Sequence, residues 1–484
     1  MFNPSIGVDD ELSLISSDYF FSFRQGRFLI GFLDLLVPNR VTPLYPYLLL
    51  ATSYLASYTI ILYLHALKHD WKTHIGFLIF ILFPTNWLSQ EFNVNVPGFA
   101  MGLLATTIAA LYSQKLLQRG LIGWQIISPM VIGLLVVAIS AFQSLITLYL
   151  ALSLGSLLFQ KRPMGKPIFR KGSTRFLSSL AFIFANAAAA IVLHSILLKT
   201  LLLVSNSELH QINIYFRSPY FMLRTQPFQY ISGNFTQFLQ TYFTPGLFYG
   251  LSLSGFTLLL IGATLLFSIY HLRERMNKLS GMKAALLLVL LLIVPLSLNI
   301  ISAPYRIPMR ALVALPYIAW LASMVWLTLA ENRHSFAFLL GVSLSGLLIV
   351  QCLTTISGYY AARAMNQRSD QLVASTIANS IIQNKQSGMP VSRIVSSGAL
   401  QRRIPYATAW YSTAGQSFFN WDSGDMTRMA AWLDLMGVQG IKPVPKEEIQ
   451  PYRSLLDGMQ PWPAPGSVRV EGNTVLVKFP KPVP

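Results

Sequence analysis

Apolar residues in this chain come in long unbroken runs rather than in the narrow stripes of a water-soluble domain. Ten runs stand out, at 43–66, 74–90, 97–114, 121–139, 141–159, 176–204, 244–268, 284–302, 310–330 and 336–356. About 17–25 residues of helix cross a bilayer core, so each run predicts a transmembrane helix. The run 284–302, AALLLVLLLIVPLSLNIIS, is the clearest. As one helix, 121–159 would measure about 58 Å at 1.5 Å per residue, too long for one crossing. It must fold back, and the polar break Ser140-Ala141-Phe142-Gln143-Ser144 is the expected corner. From 357 onward Gly, Pro and charge return. There the pattern predicts a helix over 358–385 continuing the last span, a strand over 392–397 and a helix near 425–436. Alternation around Glu471-Gly472-Asn473 predicts a β-hairpin over 468–478. The expected fold is an all-α polytopic membrane protein of about ten transmembrane helices with a small C-terminal α/β domain. Its parts would be a loop region 1–42, a membrane domain 43–356 and an outer domain 357–484.

Composition agrees. Of 484 residues, 53% are hydrophobic and 11% charged, where soluble domains carry about 25% charge. Disordered and collagenous chains are excluded. The single cysteine, Cys352, excludes a disulfide framework. A net charge of +18 does not point to nucleic acid, because its placement follows membrane topology. Alternate loops hold fifteen Lys or Arg against three acids, six of the basic residues between 161 and 175. Such loops are cytoplasmic. The opposite face then receives 1–42, 91–96, 205–243, 303–309 and 357–484. The parity holds only if 121–159 crosses twice. With 1–42 outside and no apolar run or signal peptide before it, a missing first transmembrane helix is expected, the alternative being an N-out chain.

Only 18 carboxylates occur, and none lies deep within a run, which argues against a proton- or sodium-coupled carrier. His65 and His194 are the in-span ionisable groups, and a lone helical His reads first as a hydrogen-bonded packing residue. Asp9-Asp10-Glu11 is the densest acidic site before the tail. It can supply a general base or hold a divalent cation such as Mg or Mn, or simply cap a helix N-terminus. Arg27, Arg306 and Arg310 fall at headgroup level on the same face. Guanidinium forks suit phosphate oxygens, while snorkelling is the plainer role. Arg217 and Arg224 in the 205–243 loop read as snorkelling. The loop Ser89-Gln90-Glu91-Phe92-Asn93-Val94-Asn95 can bind sugar hydroxyls or act as a polar cap. Gln143 and Ser144 can line a wet cavity. P-loop, dinucleotide and G-x-S-x-G motifs are absent.

Taken in order, Asp9-Asp10-Glu11, Gln25-Gly26-Arg27, the 88–101 segment, Phe142-Gln143-Ser144, the 306–316 stretch and Trp462-Pro463-Ala464-Pro465-Gly466-Ser467 form a pattern that resembles a known family. It is similar to the bacterial O-antigen (serotype-conversion) membrane glucosyltransferases, which are GT-C-type enzymes of the inner membrane. The resemblance implies undecaprenyl-phosphate glucose as donor and a lipid-linked glycan as acceptor, both at the periplasmic face. It implies Asp9 or Asp10 as the base, and Arg27, Arg306 and Arg310 at the donor phosphate. Glu11, Glu91, Asn95 and Gln143 would bind substrate. A donor-lipid flippase and a polyprenyl-phosphate glucosyltransferase would be partners, and nucleic acid would not. Two departures stand out: the family has a helix before its acidic loop, and it often carries an Asp where Asn93 and Asn95 follow Phe92 here. Rival readings are a lipid-linked sugar flippase and an O-antigen polymerase or ligase, for which Arg217 and Arg224 would matter more.

Overall fold

The computed structural model describes residues 10–15, 21–36, 44–119, 123–159, 173–205, 224–243, 249–273, 278–298, 307–329, 335–386, 388, 390–402, 404–409 and 412–481. Asp9, Arg306 and Arg217 lie outside them.

Each of the ten apolar runs coincides with a helix. Among the described residues, five helices are long and apolar enough to cross a membrane: Tyr45–Leu64, Asn93–Gln118, Trp124–Ala141, Phe176–Val204 and Phe336–Gln386. Five more, Trp71–Leu82, Leu145–Leu158, Ser254–Ser268, Gly281–Leu296 and Leu315–Thr328, are apolar but shorter. Backbone chemistry accounts for several of the short ones. Pro84 divides the second run into Trp71–Leu82 and Pro84–Leu88, because proline cannot donate the helical hydrogen bond. Pro295 sits in a 3-10 turn that closes Lys278–Ile293. The helix expected from 310 starts at Leu315, after the 3-10 turn Met309–Ala311. The one expected from 244 starts at Ser254, past Tyr249 and Gly250, which both hold positive φ. The fold-back falls at Phe142, which is extended between Trp124–Ala141 and Leu145–Phe159.

Helix Val96–Gln118 lies between Tyr45–Leu64 and Trp124–Ala141 at the heart of the bundle. Aromatic side chains fill notches left by glycine: Trp326 between Gly262 and Gly341, Trp320 against Gly76, and Tyr317 against Gly155. Close packing of this kind replaces water-driven association inside a bilayer. His65 and His194 both serve packing. His65 Nε2 meets the Tyr317 hydroxyl at 2.8 Å, and His194 stacks on Phe28 at 5.1 Å.

The last helix runs unbroken over Ser335–Gln386, 52 residues, or roughly 78 Å. A bilayer core takes up about 30 Å of that. The rest projects into the C-terminal domain, where Val373, Ile377 and Ile381 share a core with Phe418, Phe419, Trp432, Val475 and Val477. Strands β1 (Arg393–Ser397), β2 (Lys442–Pro443), β3 (Val468–Glu471) and β4 (Thr474–Lys478) form one sheet in the order β2-β1-β4-β3. β3 and β4 are the expected hairpin. Gly472, at φ 57°, supplies the positive φ that a two-residue turn needs. β1 is parallel to both its neighbours.

Candidate active site

Residues 91–94 form a hub that two charged groups contact. Asp10 lies on helix Asp10–Ile15 and is fully buried. Its Oδ2 accepts from Asn93 Nδ2 at 2.7 Å and its Oδ1 from the Val94 N–H at 3.3 Å. The Tyr47 hydroxyl donates to Asn93 Oδ1, which fixes the amide with its NH2 toward the carboxylate. Arg310 Nη1 donates to Glu91 Oε2 at 3.1 Å, and its guanidinium lies 5.1 Å from the centre of the Phe92 ring. The 3-10 turn Asn93–Asn95 turns consecutive side chains to different directions. Asn93 therefore meets Asp10, whereas the Asn95 side chain makes no hydrogen bond among the described residues.

The C-terminal domain reaches this hub at two points. The Ser412 hydroxyl and the Thr413 N–H, the latter at 3.0 Å, donate to Glu91 Oε1. Burial pushes the Glu91 carboxyl above the usual carboxylate range, while Arg310, Ser412, Thr413 and then Arg363 pull it back. Arg363, on the long helix, also lies within electrostatic reach of Tyr47. Glu11, expected to bind substrate, is fully buried and paired with Arg428, Nη1 to Oε1 at 2.6 Å.

Arg27 sits on a turn held from both sides. Gly26, at φ 76°, adopts a conformation that a Cβ would strain. Gln143 Nε2 donates to the Gln25 carbonyl and His194 Nε2 to the Gly26 carbonyl, each at 3.0 Å. Gln143 thus supports the backbone beside Arg27. The Arg27 guanidinium lies 5.4 Å from the centre of the Phe142 ring, which meets Phe99 edge-on, near the start of helix Val96–Gln118. Arg27 and the hub therefore share one end of the bundle. Among the described residues, no three His, Cys, Asp or Glu side chains stand close enough together to hold a metal.

In general, a carboxylate can accept a proton from a hydroxyl and guanidinium groups can bind phosphate oxygens. A family model described as Glucosyl transferase GtrII matches residues 1–327. The chain belongs to the GtrII family. The GtrII match takes in Asp10, Glu11, Arg27, the 91–95 loop, Gln143 and Arg310, and stops before Arg363, Ser412, Thr413 and Arg428. Membership makes the protein a membrane glucosyltransferase. Neither a curated protein nor a solved structure matches the chain.

Sequence reasoning passed over Tyr47, Arg363, Ser412, Thr413 and Arg428. One local signal existed for Arg428: it falls on the buried face of helix Met426–Leu435, beside Met429 and Trp432, where an unpaired charge is not tolerated.

Proposed function

We propose that this GtrII-family protein transfers glucose from a polyprenyl-phosphate glucose, the undecaprenyl form, to a hydroxyl of an O-antigen or another surface glycan. The reaction would occur at the periplasmic face of the bacterial inner membrane. The five long and five shorter apolar helices would make ten crossings, with the Lys- and Arg-rich loops on the cytoplasmic side. The observation that carries the reading is the hub itself: residues 91–94 hold both the Asp10 carboxylate and the Arg310 guanidinium.

The acceptor hydroxyl gives its proton to Asp10, with Asp9 beside it in sequence, as the oxygen attacks the anomeric carbon. The new bond forms on the face opposite the phosphate. The old carbon–oxygen bond breaks, and its electron pair leaves with the polyprenyl phosphate. Arg310, Arg27 and Arg306 stabilise the charge that develops there. A single displacement inverts the centre, so a β-linked donor gives an α-glucoside. Glu91, Asn95 and Gln143 would place the sugars, Glu91 from within its ion pair, while Glu11 is engaged by Arg428. Reconstituted protein given synthetic polyprenyl-phosphate glucose and an acceptor glycan tests this. The expected product is an α-glucoside with release of polyprenyl phosphate. Lipid movement across vesicles without transfer would instead favour a flippase.

A further inference from the structure

Arg428 lies outside the matched family segment and 417 residues along the chain from Glu11, yet its guanidinium is buried against the acidic helix. Its two ends are held differently. Nη1 donates to Glu11 Oε1 at 2.6 Å and Nε to Asp422 Oδ2 at 2.8 Å. Asp422 reaches it from an unusual turn in which Asp422, Ser423 and Gly424 all hold left-handed backbone, at φ 52°, 62° and 83°. Non-glycine residues persist in that region only where their surroundings impose it. Behind Arg428 the helix is anchored by Trp432 stacked on Phe418, with ring centres 4.3 Å apart, and capped by Asp425 on the Thr427 N–H. The guanidinium is thus an oriented fork on an anchored helix, and its Nη1 grips the residue next to Asp10.

We propose that Arg428 is a positioning residue for the transfer reaction, acting through Glu11 to hold the Asp10 carboxylate at the hub, with Asp422 orienting Arg428. The proposal rests on Asp10 being the base. Contacts made by the side chains of helix Asp10–Ile15 help to decide where its acidic end sits. On one side Asp10 is tied to Asn93 and Val94. On the other, Glu11 is tied to Arg428. Without the second tie, the carboxylate of Asp10 loses its fixed approach to an incoming hydroxyl, although the sugar sites remain.

The test is steady-state glucose transfer by the full-length protein, with donor and acceptor titrated separately. Arg428→Gln should lower kcat by about 100-fold, the loss expected from an ångström-scale misplacement, with both KM values within about twofold of the wild type. Arg428→Lys keeps the charge and should recover about tenfold of that loss. Asp422 is 53% exposed, so Asp422→Asn should fold normally and still lower kcat by about threefold to tenfold. If Arg428→Gln does not fold, the lysine and Asp422 variants decide. Wild-type kcat in Asp422→Asn and in whichever Arg428 variants fold would overturn the proposal, as would a rise in KM with kcat intact. An Asp10→Asn control separates the two levels. If it transfers normally, the assignment of the base is wrong; if it is inactive while the Arg428 and Asp422 variants are normal, only the positioning role is wrong.

Discussion

Replacing Glu91 with alanine should detach the C-terminal domain from the hub. The side chain is buried and serves three partners at once: Arg310 at 3.1 Å, the Ser412 hydroxyl and the Thr413 N–H at 3.0 Å. Removing one member of a buried ion pair costs about 3–5 kcal/mol. Arg310 keeps 23% of its side-chain exposure, so solvent screening brings that term to the low end. The stranded Ser412 hydroxyl and Thr413 N–H add about 1–3 kcal/mol each. They share one oxygen, so the two terms do not add in full. The expected local destabilisation is roughly 3–5 kcal/mol. At about 1.4 kcal/mol per decade, amide exchange across 412–414 should quicken by roughly a hundredfold or more. Glu91→Gln keeps an acceptor for Ser412 and Thr413 but turns a donor toward Arg310, and should quicken exchange by about tenfold. Hydrogen exchange read by mass spectrometry on the reconstituted protein makes the comparison. Unchanged exchange across 412–414 in Glu91→Ala would refute the reasoning, because the Thr413 N–H would then have lost its Glu91 acceptor without consequence.

Three further outcomes follow from the geometry. Burial pushes the Asp370 carboxyl from 3.8 up to about 7, against the pull of Ser417, the Phe418 N–H and Arg402. The fold therefore favours its protonated form, whose contribution is complete below about pH 4 and is lost as pH rises through 7. At about 1.4 kcal/mol per pH unit, the loss reaches roughly 4 kcal/mol, read as lower protection factors (the intrinsic rate at each pH divided by the observed exchange rate) in 417–419 at pH 8 than at pH 5, a contrast that Asp370→Asn should flatten. Gly262→Val would drive a side chain into the Trp326 indole and lower stability by about 1–3 kcal/mol, whereas Gly346→Ala, with open space around it, should leave the melting temperature in detergent unchanged. Gly26→Ala forces a Cβ into a positive-φ turn at about 1–2 kcal/mol, moves Arg27, and should raise the donor KM by about tenfold with a smaller change in the acceptor KM.

Much of the architecture was legible because membrane segments are written in contiguous sequence. Apolar runs, the polar corner at Phe142, the continuation of the last span into a long helix and the Gly472 hairpin all rest on local pattern. Boundaries shifted where proline or positive φ intervened, at Pro84, Pro295 and Tyr249-Gly250, because run length counts hydropathy and not backbone hydrogen bonds. The loop at 91–95 could be singled out as polar residues between two apolar runs. The choice between Asn93 and Asn95 could not be made, since it depends on a three-residue turn. The parallel pairing of β1 with β4, the Ser412 and Thr413 contacts on Glu91, and the Arg428–Glu11 pair join segments remote in sequence. Nothing in local periodicity encodes them.

The most direct test of the account is glucose transfer by Asp10→Asn. Asparagine keeps the size of the side chain and one acceptor oxygen but cannot take a proton. With folding verified by unchanged amide exchange in the C-terminal domain, away from the hub, kcat should fall by about 10²–10⁴-fold, the usual contribution of a general base, with little change in donor KM. Transfer at the wild-type rate by Asp10→Asn, alone and combined with Asp9→Asn, would contradict the central claim.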